Sequence, residues 1–130
     1  MTAIRRLLVA NRAEIAGRVI RTARARGTQT VAVCADPDVH LPYVAEADAV
    51  VRLHGISPAE TYLRVDLLLD AAQRTGADAV HPGYGFLSEH AGFARACEDA
   101  GLTFVGPPST VIASMGSKIE AKRMMAAPRR

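Results

Sequence analysis

Two textures alternate along this chain. Short, mainly apolar runs (Leu7-Leu8-Val9-Ala10, Thr30 to Cys34, Ala49 to Leu53, Ala77 to Val80 and Thr103 to Val105) have the length of strands, the first reading as buried on both faces. Between them apolar residues return every third or fourth position, as on one side of a helix. The first strand is expected over Ile4 to Ala10, and Asn11-Arg12-Ala13-Glu14 then turns into a helix reaching about Arg26. At ~100° per residue, Ile15, Ala16, Val19, Ile20 and Ala23 share one face of that helix, with Arg18, Arg21 and Arg24 opposite. Gly27 suits the residue just past its end.

Asp36-Pro37-Asp38 breaks the second strand, and a short helix is expected over Pro42 to Ala47. Ser57-Pro58-Ala59-Glu60 has capping-box spacing and predicts one helical turn. A helix from about Val65 to Thr75 turns Leu68, Leu69 and Ala72 to the sheet and stops at Gly76. Another spans Ala91 to Ala100, with Phe93, Ala96 and Cys97 at core spacing. After Gly106-Pro107-Pro108, a short helix over Ser109 to Met115 is expected to break at Gly116. Ser117-Lys118-Ile119-Glu120 repeats the capping-box spacing and is expected to start a last helix.

Strands alternating with helices imply parallel crossovers, hence an α/β, three-layer, Rossmann-like domain with a parallel sheet of about five strands. Such sheets bind ligands beyond the carboxyl ends of their strands, where strand order reverses. Two strand-end loops are rich in polar groups, Asn11 to Glu14 and His81 to His90; they share one edge if the first and fourth strands are neighbours.

The composition, 130 residues with 49% hydrophobic, suits one domain with a real core. No apolar run reaches the ~20 residues of a membrane span, and Arg5-Arg6 leading into a strand-length run does not read as a signal peptide. Cys34 and Cys97, unpaired in spacing, read as reduced, buried thiols of a cytoplasmic protein. A net charge of +3 does not mark a nucleic-acid binder: the basic residues are scattered, Arg129 and Arg130 being terminal, and no aromatic-rich basic strand offers a stacking platform.

The densest chemistry lies in His81-Pro82-Gly83-Tyr84-Gly85-Phe86-Leu87-Ser88-Glu89-His90. Pro82 stiffens the turn, and Gly83 and Gly85 admit backbone angles closed to other residues. Phe86 and Leu87 read as plugs for the sheet edge, and His81 as a brace for the turn; Tyr84 and Gly85 read as facing a ligand. Asn11 and Glu14 either cap the first helix or hold the loop beside the site. Missing are a Gly-x-Gly-x-x-Gly turn, a phosphate-binding lysine loop, a nucleophile elbow and histidines at metal-ligand spacing. No metal site and no catalytic residue is assigned within the chain.

Together Ala10 to Ala16, the His81 to His90 loop, Phe104-Val105-Gly106-Pro107 and Met115-Gly116-Ser117-Lys118 resemble the N-terminal, pre-ATP-grasp domain of biotin carboxylase, from about Arg5 to Ala127. The resemblance implies an enzyme that activates bicarbonate with ATP and carboxylates biotin on a carrier protein or domain, for onward transfer by a carboxyltransferase component. It implies that Tyr84 and Gly85 contact the biotin ureido end and that Lys118 reaches the ATP phosphates. It also implies that Arg18 and Arg21 face the second subunit of a homodimer. Lys118, if at a helix start, would sit against the local dipole, which favours a role in binding over simple exposure.

Residues 1–116 are then the N-terminal domain and 117–130 the start of a linker to the ATP-grasp domain. Ala13 stands where the family usually has glycine, and Ala25 where some members place an acidic interface residue. The magnesium ligands and catalytic base are expected outside this chain, which reads as a fragment, inactive by itself. An alternative is a non-catalytic module that pairs with full-length subunits. Nothing in the sequence selects the final acyl acceptor.

Overall fold

The computed structural model describes residues 3–126. Five strands form one parallel sheet: β1 (Arg6–Val9), β2 (Gln29–Cys34), β3 (Ala49–Arg52), β4 (Ala79–His81) and β5 (Thr103–Phe104). Their order is β3-β2-β1-β4-β5. The chain therefore winds outward from β1 through β2 to β3, then returns to the other side of β1. The order reverses between β1 and β4, as a ligand-binding switch point requires.

The three central strands, β1, β2 and β4, divide their side chains between two cores because successive residues point to opposite faces. Leu7, Val9, Ala32, Cys34 and Ala79 meet α1 (Ala13–Ala25) and α2 (Pro42–Glu46). Leu8, Val31, Val33 and Val80 meet α3 (Val65–Thr75) and α4 (Ala91–Asp99). The centre of the sheet is thus covered on both faces, which explains why its strands are mainly apolar and not alternating, whereas at the edge β3 leaves Val50 exposed. On α1, Ala16, Ile20 and Ala23 are buried while Arg18, Arg21 and Arg24 are exposed, as the spacing predicts. On α3, Leu68 and Ala72 are buried and Leu69 half-buried, and Gly76 closes the helix at φ +70°. Phe93 of α4 meets Phe104 of β5 edge to face at 5.9 Å, fastening the short last strand.

The Ser57–Glu60 capping box forms, with the Ser57 hydroxyl accepting from the Glu60 N–H and the Glu60 carboxylate accepting from the Ser57 N–H. The expected break at Gly116 does not occur. A single helix, α5, runs from Ser109 to Ala126, and Ser117 lies inside it and starts nothing. Its true beginning is fixed by Glu98 of α4, whose carboxylate accepts from both the N–H and the hydroxyl of Ser109. A glycine costs a helix only about 1 kcal/mol against alanine, too little to stop one already anchored.

A Cβ at Gly116 meets nothing within 4 Å. Gly116→Ala is therefore expected to raise helicity by circular dichroism and to stabilise α5 by up to about 1 kcal/mol. Lower helicity in the variant would show that the glycine is needed for a bend.

Candidate functional site

Adjacency of β1 and β4 brings the two polar loops together. The ladder extends one residue past β1, with the Ala10 N–H donating to the carbonyl of His81, the last residue of β4, at 2.9 Å. One step further, the side chain of Asn11, 1% exposed, donates from Nδ2 to the carbonyls of Pro82 (2.9 Å) and Tyr84 (2.8 Å). Its Oδ1 accepts from the Arg12 N–H at 2.8 Å. Of the two roles open for Asn11 in the sequence, the structure selects loop holding: α1 carries no side-chain cap, its cap position is Arg12, and Glu14 is exposed in the first turn.

The two glycines do different work. At Gly83 (φ +67°) a Cβ would stand 2.8 Å from Asn11 Nδ2 and 2.9 Å from Ile15 Cγ2, so the protein's own packing demands a glycine. At Gly85 (φ +72°) a Cβ would meet nothing within 4 Å. That residue borders open space. Tyr84, between them, is 81% exposed. Leu87 is buried, and Phe86 is half-buried with its ring stacked on Tyr62 at 5.4 Å, as expected of plugs at the sheet edge.

Asn11 to Ile15 and Tyr84 to Phe86 form the walls of a cleft of about 490 Å³. A second hollow of about 490 Å³ adjoins it across Ile15 and Tyr84, and includes Arg18 and His81. Three of the sequence-selected residues, Tyr84, Gly85 and Arg18, therefore lie around one surface. Arg21 does not join them: its guanidinium lies over Gly17 and pairs with Glu46 of α2 at 3.1 Å. Lys118 is exposed in the middle of α5 and lines neither hollow. Lying inside α5 and not at its start, Lys118 does not oppose the helix dipole at an N-terminus.

The sequence reading missed the groups behind the cleft. Arg12 grips Asp38 through Nε (2.7 Å) and Nη2 (2.8 Å), and Asp38 also accepts from the Tyr62 hydroxyl at 2.6 Å. That hydroxyl accepts from the Ala35 N–H and touches the Tyr43 hydroxyl at 3.0 Å; Tyr43 donates to the Val33 carbonyl. The guanidinium holds the Asp38 carboxyl below the usual carboxylate range, against the opposing effect of burial. Burial, with the charged Asp38 beside it, pushes Tyr62 up to about 12, and burial raises Tyr43 as well. Asp38 had signalled only a strand break in the sequence.

Burial also raises Cys34 and pushes Cys97 up to about 11, so both thiols stay protonated and inert. Among the described residues, no group of three or more His, Cys, Asp or Glu side chains is placed to hold a metal ion. No helix among them is long and apolar enough to cross a membrane.

Ala13 adopts φ +55°, a left-handed angle that costs a Cβ-bearing residue ~1–2 kcal/mol. Ala13→Gly is expected to stabilise the chain by about 1 kcal/mol in denaturant unfolding, and a loss of stability would mean that the methyl group packs usefully. His81 accepts the Gly83 N–H on Nδ1 at 3.0 Å, as a brace must, and burial lowers its pKa. A lowered histidine pKa means the unfolded chain takes up the proton first. Its contribution is complete above the ordinary value near ~6.5 and declines as pH falls below it towards the folded value. Protonation at Nδ1 also abolishes the brace. The protection of the Gly83 amide relative to its intrinsic exchange should therefore fall as pH drops through the lowered folded value, and His81→Asn, an acceptor without a titration, should remove that fall. Equal pH dependence in both proteins would exclude His81 as its source.

The comparisons with known proteins agree with this fold. The sequence profile of the biotin carboxylase N-terminal domain matches residues 3–112. The mitochondrial methylcrotonoyl-CoA carboxylase subunit alpha of Arabidopsis thaliana is 52% identical over 124 residues, covering 95% of this chain and 17% of that protein. The biotin carboxylase of Halalkalibacterium halodurans is 48% identical over 121 residues, 93% of this chain and 27% of that one. Among solved structures, the biotin carboxylase domain of a thermophilic 2-oxoglutarate carboxylase bound to bicarbonate superposes with a TM-score of 0.86 at 44% identity, over 95% of this chain and 28% of its own. The chain thus spans well under a third of these relatives, and within that span it belongs to the biotin carboxylase N-terminal domain family.

Proposed function

We propose that this chain is the N-terminal domain of a biotin carboxylase, a ligase that uses ATP and bicarbonate to carboxylate biotin. The observation that carries the reading is the cleft at the β1–β4 switch point, where Gly85 at φ +72° faces open space beside an exposed Tyr84. A glycine that its own protein does not crowd leaves room for a ligand to approach the backbone. In this reading Tyr84 and Gly85 take the biotin ureido end, and Lys118 reaches the ATP phosphates from α5. Magnesium, in the same reading, is held by residues outside 1–130.

The partners are a biotin carboxyl carrier protein or domain, a carboxyltransferase component and a second subunit of the same kind; the compartment is the cytoplasm. Arg18, exposed beside the cleft, is the stronger interface residue, since Arg21 is engaged by Glu46. Residues 1–116 form the domain and 117–130 begin the linker. Burial along α5 supports that division: Ser109 and Ile112 are buried, whereas Met115 and Ile119 are both 54% exposed.

The test is a chimera in which this chain replaces the aligned segment of the Halalkalibacterium halodurans enzyme. Valine at Gly85 would confound it, since a β-branched residue is badly strained at positive φ; asparagine tolerates the angle and still intrudes. Gly85→Asn is expected to raise the KM for free biotin about tenfold, about 1.4 kcal/mol, with the KM for ATP unchanged. An unaltered biotin KM would remove Gly85 from the site. The 130-residue chain alone is expected to release no phosphate from ATP with biotin and bicarbonate, because phosphoryl transfer needs metal-bridged phosphates and a positioned nucleophile.

A further inference from the structure

The two walls of the cleft converge on one buried ring. Tyr62 is 2% exposed and lines neither hollow, yet it touches what holds each wall. Through its hydroxyl it bonds Asp38, which fixes the Arg12 guanidinium by two parallel bonds, a fork geometry that allows no rotation. Through its face it stacks on Phe86, with 20° between ring planes. Phe86 has φ +43°, a strained angle for a bulky side chain that persists only where surrounding contacts impose it. Phe86 follows Gly85 directly, so its backbone angle sets where the Tyr84-Gly85 peptide points.

We infer that Tyr62 is a positioning residue for the cleft, fixing Arg12 on one wall and Phe86, with Gly85, on the other. The inference rests on the reading of this cleft as the site for the biotin ureido end. Filling the core does not explain the arrangement, because phenylalanine at Tyr43 and Tyr62 would occupy nearly the same space without buried hydroxyls. The hydroxyls instead supply direction. Tyr62 is held by the Ala35 N–H and by contact with Tyr43, so its ring has a fixed tilt. Tyr43 has one hydrogen, shared between the Val33 carbonyl and Tyr62, while Tyr62 commits its own to the charged Asp38. No buried side-chain nitrogen or oxygen among the described residues lacks a partner, as a network that transmits position requires.

Two variants separate the two arms. In nitrogen-15 spectra of the 130-residue chain, Tyr62→Phe is expected to speed solvent exchange of the Arg12 Nε–H and to leave the Gly85 amide in place, because the stack survives. Phe86→Leu is expected to shift the Gly85 amide and spare Arg12. In the chimera, each variant should raise the KM for free biotin about fivefold with the KM for ATP unchanged. A purely structural role would lower kcat with the active fraction and leave both KM values alone, and that result overturns the inference. So does an Arg12 Nε–H and a Gly85 amide that neither variant moves. A parent chimera that fails to carboxylate biotin would instead sink the functional reading, and the two resonances would then decide whether Tyr62 sets the cleft.

Discussion

The buried amide of Asn11 is the constraint from which the site follows. A side chain with 1% exposure must satisfy its hydrogen bonds inside the protein, and Asn11 does so by spending both Nδ2 hydrogens on carbonyls of the opposite loop. Those carbonyls, of Pro82 and Tyr84, can reach it only if the backbone between them comes close, and at Gly83 the approach leaves no space for a Cβ. The β1–β4 pairing brings the loops to the same edge; the amide turns adjacency into a fixed distance. Ordinary crossover topology supplies the first, and a single polar residue at the end of a strand supplies the second.

Strain collects on the same edge. Of the three non-glycine residues at positive φ among those described, Ala13 and Phe86 border the cleft and His54 lies two residues beyond β3. Such angles are held where neighbouring contacts over-determine them. Phe86 has the Tyr62 stack, whereas Ala13 is held by the turn that starts α1, between the Asn11 bonds and the first helical carbonyl of Arg12. Where a glycine would be unstrained, the alanine keeps the backbone angle and bears its cost.

Much of this was legible in the sequence because it is local. Apolar runs marked the strands, and three-to-four spacing marked the helices and their buried faces. Gly76 and the Ser57–Glu60 box announced ends that the structure contains. The His81 brace was legible too, as a histidine two residues from the turn it supports. What escaped depends on long-range partners. Ser117 and Glu120 carry capping spacing but lie inside α5, since the helix start is set by Glu98 from another element. Asp38 could be read as a strand breaker, but not as the meeting point of Arg12, Tyr62 and, through it, Tyr43. Those contacts span up to 26 residues and leave no local pattern.

Charge shows the same limit of one-dimensional reading. A net charge of +3 and an arginine stripe on α1 suggest a basic face, yet the described residues contain six arginine–carboxylate pairs. Most are exposed and contribute little to stability, ~0–1 kcal/mol each. Their effect is on the field: an arginine with a carboxylate at 3 Å presents a dipole to an approaching partner, not a charge. Arg21 is such a case, and Arg18, on the same helix face, has no such pair among the described residues. On the basic stripe of α1, any electrostatic contact beside the cleft is then concentrated near Arg18. A partner that docks there meets Tyr84 and His81 across the same hollow, so the surface that would join subunits is continuous with the surface that would hold the ligand.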